Sequence, residues 1–434
     1  MKIRLQQLWI SLRSSFWFIP ALMVLGAGCL GVVLVELDTK IGANLVRFNA
    51  RLFGASADGA RGILTGVAGS MITVAGVTFS ITIVALSLAS SQYTSRVLRN
   101  FIRDRANQTV LGMFLSIFIY CLVVLRTIRG GSETFIPSVS VLVGIALGVV
   151  GIAFLIFFIH HITTSIQASH IICAIEQETK EVIDELYPEK VNQEEQFEKI
   201  EDFLKDKSWH EVLSQKTGYI QGIDREELIE WAEENNTIIR VLRGVGEFVM
   251  EGSALLSIAN YEPSNGNPAF LNRYFGVAAY RTIEQDAAFG IRQLVDIALK
   301  ALSPSVNDTT TAVTCIDYLG AILKRLIKRK IPCGIYLKND EVRLLARSNT
   351  YQYFLDEAFH QIRQSGKDNT AVILRMFDSI YQMLDKEIIS SRRRALIKHA
   401  HLIREISENN ILFPHDRKII QYRFQEVAQA LRNH

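Results

Sequence analysis

Apolar residues are not spread evenly along this chain. Long apolar runs fill the first 165 residues, and shorter alternations follow. Phe16–Val35, Leu64–Ala89 and Val139–Ile159 each reach the roughly 20 residues a helix needs to cross a hydrocarbon core, and Val110–Leu125 is a shorter run of the same kind. None carries Lys, Arg, Asp or Glu in its middle, where each such charge costs about 2.5–3.5 kcal/mol on insertion scales. The pattern predicts four transmembrane helices. The first run follows a basic flank of Lys2, Arg4 and Arg13. It is too long for a signal peptide's apolar region and no small-residue cleavage site follows, so it reads as an uncleaved signal anchor.

Lys and Arg in the flanks set the orientation. Lys2, Arg4 and Arg13 precede the first span, and Arg96, Arg99, Arg103 and Arg105 lie between the second and third. Both groups belong on the cytoplasmic side, which places the N-terminus and everything after the fourth span there. Between spans one and two, Ile41, Leu45, Phe48 and Leu52 share one helical face, an expected interfacial helix. Trp9, Trp17 and Phe18 are aromatic anchors at the inner boundary.

Beyond the fourth span the period changes. No Gly or Pro interrupts Thr163–Tyr187, and its Ile and Leu spacing predicts one helix leaving the bilayer as a stalk. Residues 189–207 are acidic and read as a linker. Gly218–Ile223, Ile238–Leu242 and Ala254–Ile258 read as strands, with a short helix at Glu226–Glu234. Ile335–Leu337 and Val342–Leu345 form an expected hairpin. Helices are expected at Ala287–Leu302, Thr309–Arg329, Tyr351–Gln364, Ala371–Leu384, Ser390–Ser407 and Arg417–Leu431. The expected domains are 1–165 (membrane), 166–210 (stalk and linker), 211–260 (a small β module) and 261–434 (mainly helical).

Composition adds mostly exclusions. A net charge of +3 gives no reason to invoke nucleic acid. The five cysteines (Cys29, Cys121, Cys173, Cys315 and Cys333) show no CxxC spacing, which argues against a zinc site or a disulfide framework. Phosphate-binding glycine loops, HExxH and GxSxG are absent. No cofactor or metal is expected.

Two features carry candidate chemistry. In span two, Gly66, Gly69, Thr73, Gly76, Ser80, Ser87 and Ser91 follow steps of three and four, apart from one gap. Small residues on one face permit close helix packing. The same face can line a permeation path, where hydroxyls and bare backbone replace hydration. The span ends in Ser90–Arg96, a polar mouth backed by arginines that attract anions or only mark the positive-inside flank. The second feature brackets the helix at 287–302. Arg281, Glu284 and Asp286 precede it, and Asn307 and Asp308 follow. Asp286 is a sensible cap for that helix and Asn307 or Asp308 for the next, and the five together are candidates for a small-ion or metabolite site. Arg292 and Asp296 read as an i,i+4 pair. His160 and His161, where span four leaves the membrane, are amphipathic boundary residues or a pH sensor.

Two resemblances sharpen this. Gly218-Tyr219-Ile220-Gln221, followed by the glycine-bounded segment Gly246–Gly252, resembles barrel-sandwich modules of the biotinyl/lipoyl type. The cofactor-bearing lysine of those modules is missing, so the resemblance implies a structural module. Trp9–Pro20, Thr78–Arg96, Gly218–Asp224 and Gln285–Ala312 resemble a widespread family of predicted bacterial inner-membrane proteins of unknown function, over essentially the whole chain. That resemblance implies the topology and the location, and no activity. The expected architecture is a polytopic α-helical membrane domain followed by an α+β cytoplasmic domain with a small barrel-sandwich-like β module and a helical C-terminal part. The favoured function is an oligomeric ion channel or transporter, a homo-oligomer of three or more copies in the lipid bilayer with a gating or ligand-sensing domain. A non-transporting sensor or scaffold, and a membrane-bound enzyme, are the alternatives.

Overall fold

The computed structural model describes residues 17–48, 56–92, 104–130, 135–189, 207–261, 267–384 and 388–433. Two units divide the chain, residues 1–170 and 171–434. The first contains α1 (Phe18–Phe48), α2 (Ala57–Gln92), α3 (Arg105–Leu125) and α4 (Ser138–Ser165). All four are long and apolar enough to cross a membrane. α3 is the hub: 56% of its apolar window is buried, against 11–22% for the other three, and it packs on all of them. Its inward residues Phe114, Ile117, Tyr120 and Val124 meet Leu64, Met71 and Val141 in one apolar core. Outward residues such as Leu25, Val149 and Ile156 stay exposed, as a lipid-facing surface does.

Glycines set the closest approaches. A Cβ on Gly144 would meet Leu64, one on Gly148 would meet Val67, and one on Gly151 would come within 2.8 Å of the Met71 sulfur. Small-residue faces let helix axes draw together in this way. One buried acid fixes the bundle's end. Asp38 of α1 accepts hydrogen bonds from the Val139 and Ser140 amides (3.0 and 2.9 Å) and from the Ser140 hydroxyl (2.6 Å). It thereby satisfies the free N–H groups at the start of α4 from a different helix. The Tyr120 hydroxyl donates to the Ser140 carbonyl at 2.8 Å beside it.

Two expectations need correction. α1 does not stop where the charged residues begin: its helix continues through Phe48, so Ile41, Leu45 and Phe48 extend the first span's own helix. Leu52 lies outside the described residues. The expected uninterrupted stalk over 163–187 is broken at Ile166–Gln167, and α5 (Ala168–Leu186) begins after it. Just before the break, Thr163 and Thr164 turn their hydroxyls back onto the Ile159, His160 and His161 carbonyls, bonds that bend and slightly weaken a helix.

The second unit mixes sheets and helices. β1 (Trp209–Leu213), β5 (Ala254–Ala259), β3 (Ile239–Val241), β8 (Glu341–Leu345) and β7 (Ile335–Lys338) form one sheet in that order. β4 (Phe248–Val249), β2 (Gly218–Ile223) and β6 (Phe275–Ala278) form another. Both sheets bury one core with α6 (Arg225–Glu234), including Val212, Ile220, Leu228, Ile239, Leu256 and Leu344. The strands of 211–260 therefore share their sheets with segments far along the chain. The β7–β8 hairpin joins β3 through a parallel pairing at Ile239–Leu344, and β6 pairs with β2. α7 (Ala287–Ala301), α8 (Thr309–Leu326), α9 (Tyr351–Ser365), α10 (Thr370–Met383), α11 (Ser390–Asn410) and α12 (Pro414–Asn433) complete the unit.

Candidate functional site

The stripe of span two occupies the face of α2 that its own bundle leaves uncovered. Ala60, Leu64, Ala68, Met71, Ala75, Thr78 and Ala85 are the buried positions. At 3.6 residues per turn, the face carrying Gly69, Thr73, Gly76, Ser80 and Ser87 is centred roughly 170° away from them. Those five residues are exposed. A Cβ on Gly62, Gly66, Gly69 or Gly76 meets nothing within 4 Å. The hydroxyls are not idle: Thr73 donates to the Gly69 carbonyl and Ser80 to the Gly76 carbonyl, at 2.8 and 2.9 Å. Their hydrogens are thus committed, and the oxygens point their remaining lone pairs off the helix. Within one chain, then, the glycines of α4 pack helices together and those of α2 do not. Ser91 lies in α2, but its side chain, and the mouth at Ser90–Arg96, fall outside the described residues.

The Arg281 and Asp286 candidates meet. Arg281 Nε and Nη2 donate to Asp286 Oδ2 at 2.9 and 2.7 Å, and the guanidinium lies over the Phe289 ring. Asp286 is also the N-cap of α7, its Oδ1 accepting the Phe289 amide at 3.1 Å. Burial pushes the Asp286 carboxyl up, while Arg281 and the Phe289 amide pull it down. Gly246 belongs to this cluster. It has φ of +84°, and a Cβ there would lie 2.3 Å from Asp286 Oδ2 and 2.9 Å from Arg281 Nη2.

This pair lines a cavity of about 490 Å³ in the second unit. Arg225, Glu247, Arg347, Tyr187, Tyr336 and Tyr353 line it as well, together with the first residues of α7 and α9. Arg347 Nη1 bonds Glu247 Oε1 at 2.9 Å. Arg225 lies over the Tyr336 ring at 5.8 Å, and its Nε is buried with no hydrogen-bond partner among the described residues. Burial pushes the Tyr187 phenol up to about 12, so it stays a neutral donor at physiological pH.

The other expected members stand elsewhere. Asn307 and Asp308 follow the far end of α7, a helix of 15 residues and so about 22 Å long. Asp308 caps α8, accepting the Thr311 amide at 3.0 Å and the Thr311 hydroxyl at 2.5 Å. Those bonds hold its carboxyl below the usual range. Asn307 takes the left-handed conformation, φ of +49°, that turns the chain into that cap. Glu284 is exposed and does not line the cavity. The structure thus brings together Arg281 and Asp286 at the cavity, leaves Glu284 out of its lining, and places Asn307 and Asp308 beyond the far end of α7. Arg292 and Asp296 form their i,i+4 pair at 2.9 Å, which Glu357 and Gln361 extend. At the end of α4, His161 Nε2 pairs with Asp104 at 2.5 Å and its ring stacks on Phe157. Among the described residues no cluster of three or more His, Cys, Asp or Glu could hold a metal.

Sequence reasoning missed Arg225, Arg347 and the tyrosines, because they come from five separate segments of the chain. One signal was available: Arg243-Gly244-Val245-Gly246-Glu247 puts two glycines between charged residues, as a turn against a polar site does.

Comparison with known proteins agrees with the membrane architecture. The chain is 31% identical to the uncharacterized protein MT1328 of Mycobacterium tuberculosis over 419 residues, covering 94% of this chain and 79% of the relative. The uncharacterized protein Mb1321c of Mycobacterium bovis is also 31% identical, with the same shares covered. No solved structure matches the chain. Residues 13–382 match the family described as Predicted membrane protein (DUF2254), and the chain belongs to that family.

Proposed function

We propose that the chain is one subunit of an oligomeric ion channel or transporter of the bacterial inner membrane. Its N-terminus and its second unit are read as cytoplasmic, with the second unit sensing a ligand. One observation carries the reading: the small, hydroxylated face of α2 points away from every helix of its own bundle. A helix facing only lipid gains nothing from a strip of bare backbone and hydroxyl oxygens, whereas a pathway built by several copies needs one. Because four spans per copy enclose little space, three or more copies surround the pathway. The back-bonded hydroxyls offer acceptors to a cation, and the arginine flank attracts anions, so the two fluxes are measured separately. In the second unit, two sheets around one core support the reading of a barrel-sandwich-like structural module.

Flux across liposomes carrying the purified protein tests the reading. Ion flux above that of empty liposomes is expected, and Ser80→Leu abolishes it while the protein still assembles. Flux that survives Ser80→Leu removes α2 as the lining. The cavity of the second unit favours a second reading, a non-transporting sensor. Tight liposomes around a protein that still binds a small ligand would select it.

A further inference from the structure

The cavity lined by Arg281 and Asp286 has a charge balance that specifies what it can hold. Three guanidinium groups, Arg225, Arg281 and Arg347, face two carboxylates, Asp286 and Glu247. One positive charge is left over. α7 and α9 both begin at the cavity wall, and each helix N-terminus contributes roughly half a positive charge. The sum is near +2. A phosphate monoester carries about −1.5 to −2 at neutral pH.

The arginines are not equally committed. Arg281 is held by Asp286, and Arg347 is held at its rim by Glu247. Among the described residues Arg225 has no ion pair or hydrogen bond. Its contact is the Tyr336 ring beneath it, and its Nε is buried without a partner. A buried Nε–H without an acceptor is costly, and the planar fork of a guanidinium matches two oxygens of a phosphate. Four aromatic rings stand on the same wall: Tyr336 under Arg225, and Tyr187 and Tyr353, each meeting Phe354 edge-on. A volume of about 490 Å³ is in the range of small-molecule sites and exceeds what a bare phosphate fills.

We propose that this cavity binds a small phosphate monoester with a planar body, of the nucleoside monophosphate class. Arg225 takes the phosphate oxygens, the start of α7 completes the anion's cradle, and the tyrosines hold the ring. This deepens the ligand-sensing part of the function proposed above and rests on it for its purpose, though not for its chemistry.

Titration calorimetry on the detergent-solubilised full chain tests it, with adenosine 5′-monophosphate, ribose 5-phosphate and adenosine as probes. Adenosine 5′-monophosphate is expected to bind more tightly than either fragment, and less tightly as salt rises. Arg225→Gln should weaken it at least about tenfold, the weight of one charge-assisted hydrogen bond. Arg347→Gln, at an exposed side chain whose loss leaves the fold intact, should weaken it a few-fold. No binding of either phosphate at millimolar concentration overturns the proposal, as does unchanged affinity in Arg225→Gln of wild-type melting temperature. Ribose 5-phosphate binding as well as the nucleotide overturns the planar body. The two proposals fail separately. Nucleotide binding with no effect on flux removes sensing and leaves the site; Ser80-dependent flux without nucleotide binding removes the site and leaves the channel.

Discussion

His399 in α11 shows how a single buried residue turns into a property of the whole unit. Its Nε2 lies 2.8 Å from Asp356 Oδ1, its Nδ1 is buried without a partner among the described residues, and its side chain is 1% exposed. The Nε2–H tautomer donates to Asp356; a proton on Nδ1 would face no acceptor. Burial therefore holds the imidazole below its ordinary pKa, with Asp356 opposing more weakly. The sign follows from proton counting. Below the ordinary value of about 6.5 the unfolded chain takes up a proton that the folded chain refuses, so stability falls as the pH drops. The melting temperature of the purified protein is expected to decline from pH 7.5 to pH 5.5, and His399→Leu should flatten that decline. An equally steep decline in the variant would assign the dependence to other groups. His399 was not legible beforehand, because one His in an amphipathic helix gives no hint of what lies across the core. Asp38 was hidden for the same reason: its three partners are about a hundred residues away. Asp286 and Asp308 were legible as caps, because a cap is a local pattern that a few consecutive residues define.

Elements were legible where periodicity is long. α7, α8 and α9 begin at the expected residues, and α10 one residue earlier than expected, because each begins at an Asp, Asn or Thr cap and presents one apolar face. β4 and β6 were not expected; two and four residues are too few to show an alternation. The break at Ile166 was missed because neither Gly nor Pro marks it. Glycine spacing alone was also ambiguous, since α2 and α4 both carry it. Their environments differ, and a matched pair of substitutions separates them. Gly151→Leu drives a side chain into Met71 and Ile117, and overpacking of that kind costs about 1–3 kcal/mol. Gly69→Leu meets nothing in its own chain. The first variant should melt well below wild type in detergent as a monomer. The second should melt with the wild-type monomer and fail to give the crosslinked oligomer that the proposed channel requires of the wild type in membranes. If Gly69→Leu still assembles and conducts, the uncovered face of α2 faces only lipid.

At the scale of the molecule, the open matter is which side of the membrane each part occupies. Even numbers of spans return the chain to the side it started from. The bundle supports that alternation: Asp38 in the second half of α1 meets the start of α4, while Asp104 at the start of α3 meets His161 near the end of α4. Neither end names its compartment. The arginines that do so in the sequence, Arg96, Arg99 and Arg103, lie outside the described residues, so orientation rests on charge bias alone. The thiols supply a direct probe. Cys333 is exposed in the second unit, Cys121 and Cys315 are buried, and Cys29 lies within the apolar stretch of α1, where a charged reagent does not reach. Burial also pushes the Cys315 thiol upward, which further lowers its reactivity. A membrane-impermeant maleimide should leave intact spheroplasts unlabelled and label inverted vesicles. Cys333→Ser should remove most of that label, and the remainder should map to the half-buried Cys173. Labelling of intact spheroplasts at Cys333 would invert the orientation. It would put the arginine-lined cavity outside the cell, away from the cytoplasmic nucleotide pool, and leave the site's chemistry without the compartment that gives it a purpose.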